Sequence, residues 1–289
     1  MAAVEAAVAL AAGAALGIAL RHGKSPSLDI RGLRAPGALW AAAAVALAFA
    51  VNISFYFGLY AQYRYDLPLA RISMMFGLQE VAGIAGSLLF GAIAGRIGAP
   101  RAAILALLCV AATIPLIFTV TASSSIWAVV AVAVVVGVPM AGATGPLAQT
   151  FMNFAPADGS DGASSIYEAL NNLGFVLGGL AVGFLAFSGF QRSFTDHLVE
   201  HGVAPVRASS IAADVRNGAV AAELVARDPV PEPGLAEVVN VEGAGFNQSQ
   251  LDAMRIAGIS LAVTDTLAAG TLVMSLRRRR RMPDASDRH

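Results

Sequence analysis

Residues 86–104 read GSLLFGAIAGRIGAPRAAI. An apolar run meets a second apolar run across a short stretch of glycines, a proline and two permanent charges, Arg96 and Arg101. Glycine lets two helix ends turn and approach closely. Pro100 suits the first turn of a new helix. The arginines hold the turn in water, where they reach helix C-terminal carbonyls or lipid phosphates. The stretch therefore reads as a tight hairpin between two membrane-spanning helices.

Composition extends that reading to the whole chain. Of the 289 residues, 57% are hydrophobic and only 13% charged, with a mean hydropathy of +0.68. An average soluble domain carries roughly 25% charged residues. Net charge is +0, which gives no electrostatic footprint for nucleic acid. The one cysteine, Cys109, lies in an apolar run and reads as a packing residue. The basic residues are arginine save Lys24, and alanine is abundant, a bias that points to a GC-rich bacterial genome.

A helix needs about 20 mostly apolar residues to cross a bilayer. About seven segments qualify, near 3–20, 38–60, 72–94, 102–120, 126–146, 165–187 and 254–276. The first lacks the basic start of a signal peptide, since Arg21 and Lys24 follow it, and it reads as a span. Arginine and lysine collect in the loop 21–34, in the 96–101 hairpin and in the tail from Arg277. These three fall on one side, which the charge rule makes cytoplasmic. The arginine run at 277–281 is then a topology anchor. The N-terminus falls outside, as expected for the back part of a longer protein. The organisation read from sequence is a linker helix and loop (1–37), five spans (38–188), a polar extracytoplasmic loop or small cap (189–252), a last span (253–276) and a basic tail (277–289). Within the polar segment, SFTDHLVEHG and NQSQLDAMR look helical.

The hairpin also carries a motif. Gly91-x-x-x-Gly95-Arg96-x-Gly98-x-x-Arg101 resembles the loop signature of the major facilitator superfamily, G-x-x-x-D-R-x-G-R-R, with Gly95 where the acid usually stands. SLDIRGLRAPGALW (27–40) resembles the segment that leads into the C-terminal bundle of the 14-helix drug:proton antiporters. FYFGLYAQYRYDLPLARISMMFGLQEVAG (55–83) and GPLAQTFMNFAPADGSDGASSIYEALNNLGFVLGGLAVG (145–183) resemble later segments of that family in the same order. The resemblance implies an all-α membrane protein: helices 8–14 of such a transporter, a six-helix bundle of two inverted three-helix repeats plus a linker helix. It implies proton-coupled efflux across the bacterial inner membrane, with the C-terminus cytoplasmic, a small-molecule substrate and a separate N-terminal bundle as partner. No cofactor or metal is implied. Alternating access rocks one bundle against another, so this chain alone is expected not to transport. A non-transporting fragment or a half-transporter subunit is the alternative.

Ionisable groups inside a membrane are costly and mark a pathway by default. Glu80 lies about 12 Å into its helix, with Gln79 beside it and Gly83 and Ser87 at i+3 and i+7. That small, polar face suits the bundle interior, where the carboxyl exchanges protons, neutralises a cationic substrate, or is hydrogen-bonded in place. Asp265 sits near the centre of the last span between Thr264 and Thr266, as a pathway group or a neutral, locally hydrogen-bonded acid. Glu168, Asn171 and Asn172 share a face near the cytoplasmic end, as a gate contact or a solvated face. Asn52 and Tyr56, with Tyr60, form an i, i+4, i+8 stripe suited to stacking on an organic cation, or to interfacial anchoring at its outer end.

Other seven-helix readings fail on residues. Retinal needs a lysine in the last helix, and Lys24 lies in a loop. The histidines (22, 197, 201 and 289) all lie outside the expected spans, which removes the base of an intramembrane hydrolase. No Cys/His spacing builds a zinc site.

Overall fold

The computed structural model describes residues 37–50, 53–65, 67–154, 160–216 and 244–280. The expected span at 3–20 lies outside them, as does Asn52. The elements are α1 (Ala38–Ala48), α2 (Ile53–Tyr65), α3 (Leu69–Ile97), α4 (Ala99–Thr113), a 3-10 turn (Ile114–Thr119), α5 (Ile126–Met152), α6 (Ser160–Glu200), α7 (Pro205–Arg216) and α8 (Ala244–Arg280). Six stretches are long and apolar enough to cross a membrane: 38–62, 70–97, 99–119, 126–152, 162–200 and 246–278.

The opening hairpin folds as read. Gly98 alone separates α3 from α4, at φ 87°, a conformation that L side chains avoid. Its N–H donates to the Ala94 carbonyl at 2.9 Å, Pro100 opens α4, and Arg96 and Arg101 are both exposed. Gly91 and Gly95 face open space, so the tight turn rests on Gly98 and not on them.

The spans pack as two related triplets. The second span (α3) packs on the fourth (α5), and the fifth (α6) packs on α1 of the first. The third packs on the fourth, and the sixth (α8) on the first. The third and sixth also meet each other. Exchanging the triplets reproduces which spans touch which. It leaves α3 and α6 as flanks on either side of the first and fourth spans. They are also the least covered spans, each with only 22% of its apolar window buried against 39–44% elsewhere.

Small residues set these seams. A Cβ at Gly86 would overlap the Val138 backbone, and one at Gly142 would strike the Phe90 ring. On the other flank, a Cβ at Gly174 would overlap Ala46, and one at Gly178 would overlap Ala50. Lipid gives helices no hydrophobic drive toward each other, so close backbone approach supplies the contact.

Two stretches differ from the expected layout. The first span is not one even helix, because α1 ends at Ala48, Phe49 and Ala50 turn, and α2 begins at Ile53. The segment from 189, read as a loop or small cap with helical parts, is helical at its two ends. α6 runs on to Glu200 and α8 begins at Ala244, so SFTDHLVEHG and NQSQLDAMR lie largely within these two long helices. At 41 residues α6 rises about 60 Å, twice the roughly 30 Å of a bilayer core. Gly189 packs on Ile256, and Arg255 reaches the Val120 carbonyl at the outer loop. The turns beyond those contacts therefore stand clear of the membrane and, with α7, build a small cap. Its centre is apolar: Phe190, Phe194, Leu198, Phe246 and Leu251 are buried together.

Below the cap, the loop 120–125 is tied down by side chains. Tyr60 Oη donates to the Thr121 carbonyl at 3.2 Å, Arg64 Nε to Ala122 at 2.7 Å, and Tyr65 Oη to Ser124 at 2.5 Å. Tyr60 is thus wholly buried and spent on the loop, where the sequence left it a lipid-interface anchor. Burial pushes the Tyr65 phenol up, with Arg64 opposing, so it stays a donor. Tyr60→Phe removes one of these bonds and should cost about 1 kcal/mol. Thermal unfolding of the detergent-purified variant, set against wild type, checks it.

Candidate functional site

The site is built from polar groups that the packing leaves inside, and Glu80 is not among them. It is exposed, whereas Gln79 is buried. The correction follows from the α3–α5 seam. Ile72, Gln79, Gly83, Gly86 and Phe90 form the buried stripe of α3. Neighbouring residues on a helix differ by about 100° in direction, so Glu80 turns outward with Val81 and Ile84, both exposed. Ser87 is exposed as well, though its Oγ donates to the Ala141 carbonyl across the seam at 3.2 Å. The expected polar interior face of Glu80, Gly83 and Ser87 is therefore split. Gln79 takes the inward place, and its Nε2 donates to Ser54 Oγ at 2.5 Å, joining α3 to α2.

Asp265 is buried, 2% exposed, and its Oδ2 has no hydrogen-bond partner among the described residues. It lines a 140 Å³ cavity inside the bundle with Phe49, Leu107, Met140, Thr144 and Phe175. Five of the six spans contribute to that wall. Thr144 Oγ1 donates to the Ala141 carbonyl at 2.8 Å, leaving its own oxygen to accept. The flanking Thr264 and Thr266 hydroxyls donate to carbonyls of their own helix, Ser260 and Ala262. They give Asp265 nothing, which removes the local bonding that the sequence held open for it.

A second cavity of 240 Å³ lies between α2 and α6, lined by Phe55, Tyr56, Phe175, Val182, Gly183 and Phe187. Tyr56 is buried and meets Phe55 edge-to-face, ring centroids 5.4 Å apart. A Cβ added at Gly183 would sit 3.7 Å from the Tyr56 hydroxyl, an ordinary contact. Phe175 belongs to both cavities. Sequence reading found Tyr56 and Asp265, but not Phe175, which looked like one apolar residue in a run of them.

Glu168 and Asn172 are exposed near the start of α6, and Asn171 is half-buried. They share a region of one helix but line neither cavity.

The family model of the Major Facilitator Superfamily matches residues 4–179, more than half of the chain. The chain belongs to the Major Facilitator Superfamily. It thus has a membrane transporter fold, and the six described spans form one bundle of it. No curated protein matches the chain as a relative. Arg96 and Arg101 of the glycine-arginine hairpin are exposed, as are Arg277 and Arg278 where α8 ends. Arg278 lies over the Trp40 ring, 5.4 Å from its centroid, which closes that end between α1 and α8.

Proposed function

We propose that this chain is the C-terminal portion of a proton-coupled efflux transporter, of the drug:proton antiporter type, in the inner membrane of a bacterium. The observation that carries the reading is the pair of sparsely covered flanks, α3 and α6, on either side of the first and fourth spans. A companion bundle seated between them would complete a two-bundle transporter. The aromatic cavity of Phe55, Tyr56 and Phe187 supports an apolar, cationic organic substrate, since a cation gains from aromatic faces once desolvated. Glu80, exposed on one flank, is available to such a cation or to the companion bundle. Glu168 and Asn172, exposed toward the cytoplasmic end of the other, serve as gate contacts. The basic end of the bundle lies in the cytoplasm by the charge rule.

The test is efflux from cells. The 289-residue chain alone, in a host stripped of drug pumps, should leave ethidium accumulation unchanged, because one bundle has no partner to rock against. Joined in one reading frame to an N-terminal bundle, it should lower accumulation in an uncoupler-sensitive way. Strong uncoupler-sensitive efflux by the chain alone would overturn the half-transporter reading. No efflux in either form would leave a non-transporting membrane protein.

A further inference from the structure

We infer that Asp265 is a proton-binding site on a cavity lined by five spans of this single bundle, and that the Phe175 side chain, which lines this cavity and the aromatic one, separates the two. The inference deepens the transport reading and rests on it only for what occupies the aromatic cavity.

Three observations meet here. First, the Asp265 carboxyl is buried with Oδ2 unpartnered among the described residues. An ionised carboxylate without a partner in such a place is very costly, so an acid placed here marks a functional group and not mere packing. Second, the acid is on a cavity and not in solid packing. At 140 Å³ the space has room for about five waters, and Thr144 adds a second polar wall. Water reaching this space would stabilise the carboxylate and let the proton leave. Third, Phe175 lines both this cavity and the aromatic one, and the residue is 55% exposed. A ring half free of packing can change rotamer, and doing so would join the two spaces.

Among the described residues, no other ionisable side chain lines this cavity. The helices α1 and α5 carry no ionisable side chain. On α4, Arg101 is exposed at the far end and Cys109 does not line the cavity. On α6, Glu168 is exposed and the Tyr167 hydroxyl donates to the Thr144 carbonyl at 3.4 Å. Arg192, Asp196, His197 and Glu200 lie in its last turns, in the cap. On α8, Asp252 and Arg255 pair with each other at the outer end at 3.2 Å, and Arg277 and Arg278 are at the other. On α2, Tyr56 faces the aromatic cavity, and Tyr60, Arg64 and Tyr65 face the outer loop.

The break in the first span serves the same place. Ala48 and Phe49, where α1 ends, are on the cavity wall, and irregular backbone at membrane depth is tolerated where it borders a cavity.

The experiment needs no transport. Dicyclohexylcarbodiimide attacks protonated carboxyls in apolar surroundings, and peptide mapping by mass spectrometry separates Asp265 from Glu80. In the full chain reconstituted in liposomes, labelling at Asp265 should fall as pH rises. Phe175→Ala should speed it several-fold and Phe175→Trp should slow it. Tetraphenylphosphonium, filling the aromatic cavity, should slow it in wild type but not in Phe175→Ala. Asp265→Asn should lose the label while melting close to wild type, which separates loss of the site from loss of the fold. Labelling that ignores pH would make Asp265 a permanently neutral packing acid and overturn the proposal, as would no labelling even in Phe175→Ala. Labelling that follows pH but ignores both Phe175 variants would overturn the partition. If the full pattern appears in a chain that supports no efflux in any form, the proton site stands and the transport reading falls.

Discussion

Gly178→Val should leave almost no folded protein. Gly178 is where α6 lies against the broken first span, and a Cβ there would overlap the Ala50 carbonyl oxygen, Cα and Cβ. Backbone cannot step aside as a flexible side-chain tip does. Overpacking a tight site typically costs about 1–3 kcal/mol, occasionally more, and this contact is backbone on backbone. We expect a loss above about 3 kcal/mol, read as aggregation on size-exclusion chromatography in detergent. The neighbour supplies the control. Gly179 has nothing within 4 Å of an added Cβ, so Gly179→Ala should be neutral or gain up to about 1 kcal/mol from helix propensity. If both variants melt alike, the α6 seam is not where the structure puts it. The parallel site on the other flank is Gly86, where a Cβ would overlap the Val138 backbone, and Gly86→Val should behave as Gly178→Val does.

The second large effect lies outside the bilayer. Phe194 is wholly buried in the cap, its ring stacked on Phe190 at 5.5 Å and edge-on to Phe246 at 5.8 Å. Here water is the alternative environment, so burial gains the ordinary hydrophobic stabilisation that spans in lipid do not gain from one another. Phe194→Ala should cost about 3–5 kcal/mol of cap stability. It should do so locally. Limited proteolysis should cut the cap around α7 while the spans below remain protected. Cleavage within the membrane core instead would mean that cap and bundle unfold as one unit.

The spans were legible in the sequence because lipid leaves backbone polar groups no partner but their own helix, so composition and length are enough to find them. The hairpin was legible for a similarly local reason: Gly98 and Pro100 act on their own backbone, and Arg96 and Arg101 respond to water and not to neighbours. The cap was half legible. NQSQLDAMR reads as helix, but nothing in hydropathy says that α6 continues unbroken past the membrane surface, because helix propensity does not end where apolarity does.

Which way a helix turns inside the bundle was not legible. Glu80 and Gln79 are adjacent, both polar, and equally suited to an interior by type. Gly83, Gly86 and Phe90 against α5 decide between them, and that contact joins residues more than 50 positions apart. Asp265 could be named from sequence because a lone acid in an apolar run stands out against its own neighbours. Phe175 could not, since its part comes only from lying between two cavities whose other walls are drawn from α1, α2, α4, α5 and α8. The sequence by itself determined that this chain crosses the membrane and where the six described spans run, because the bilayer tests each helix alone. The tertiary structure decided which side chains face each other, because close approach at glycines depends on both helices at once.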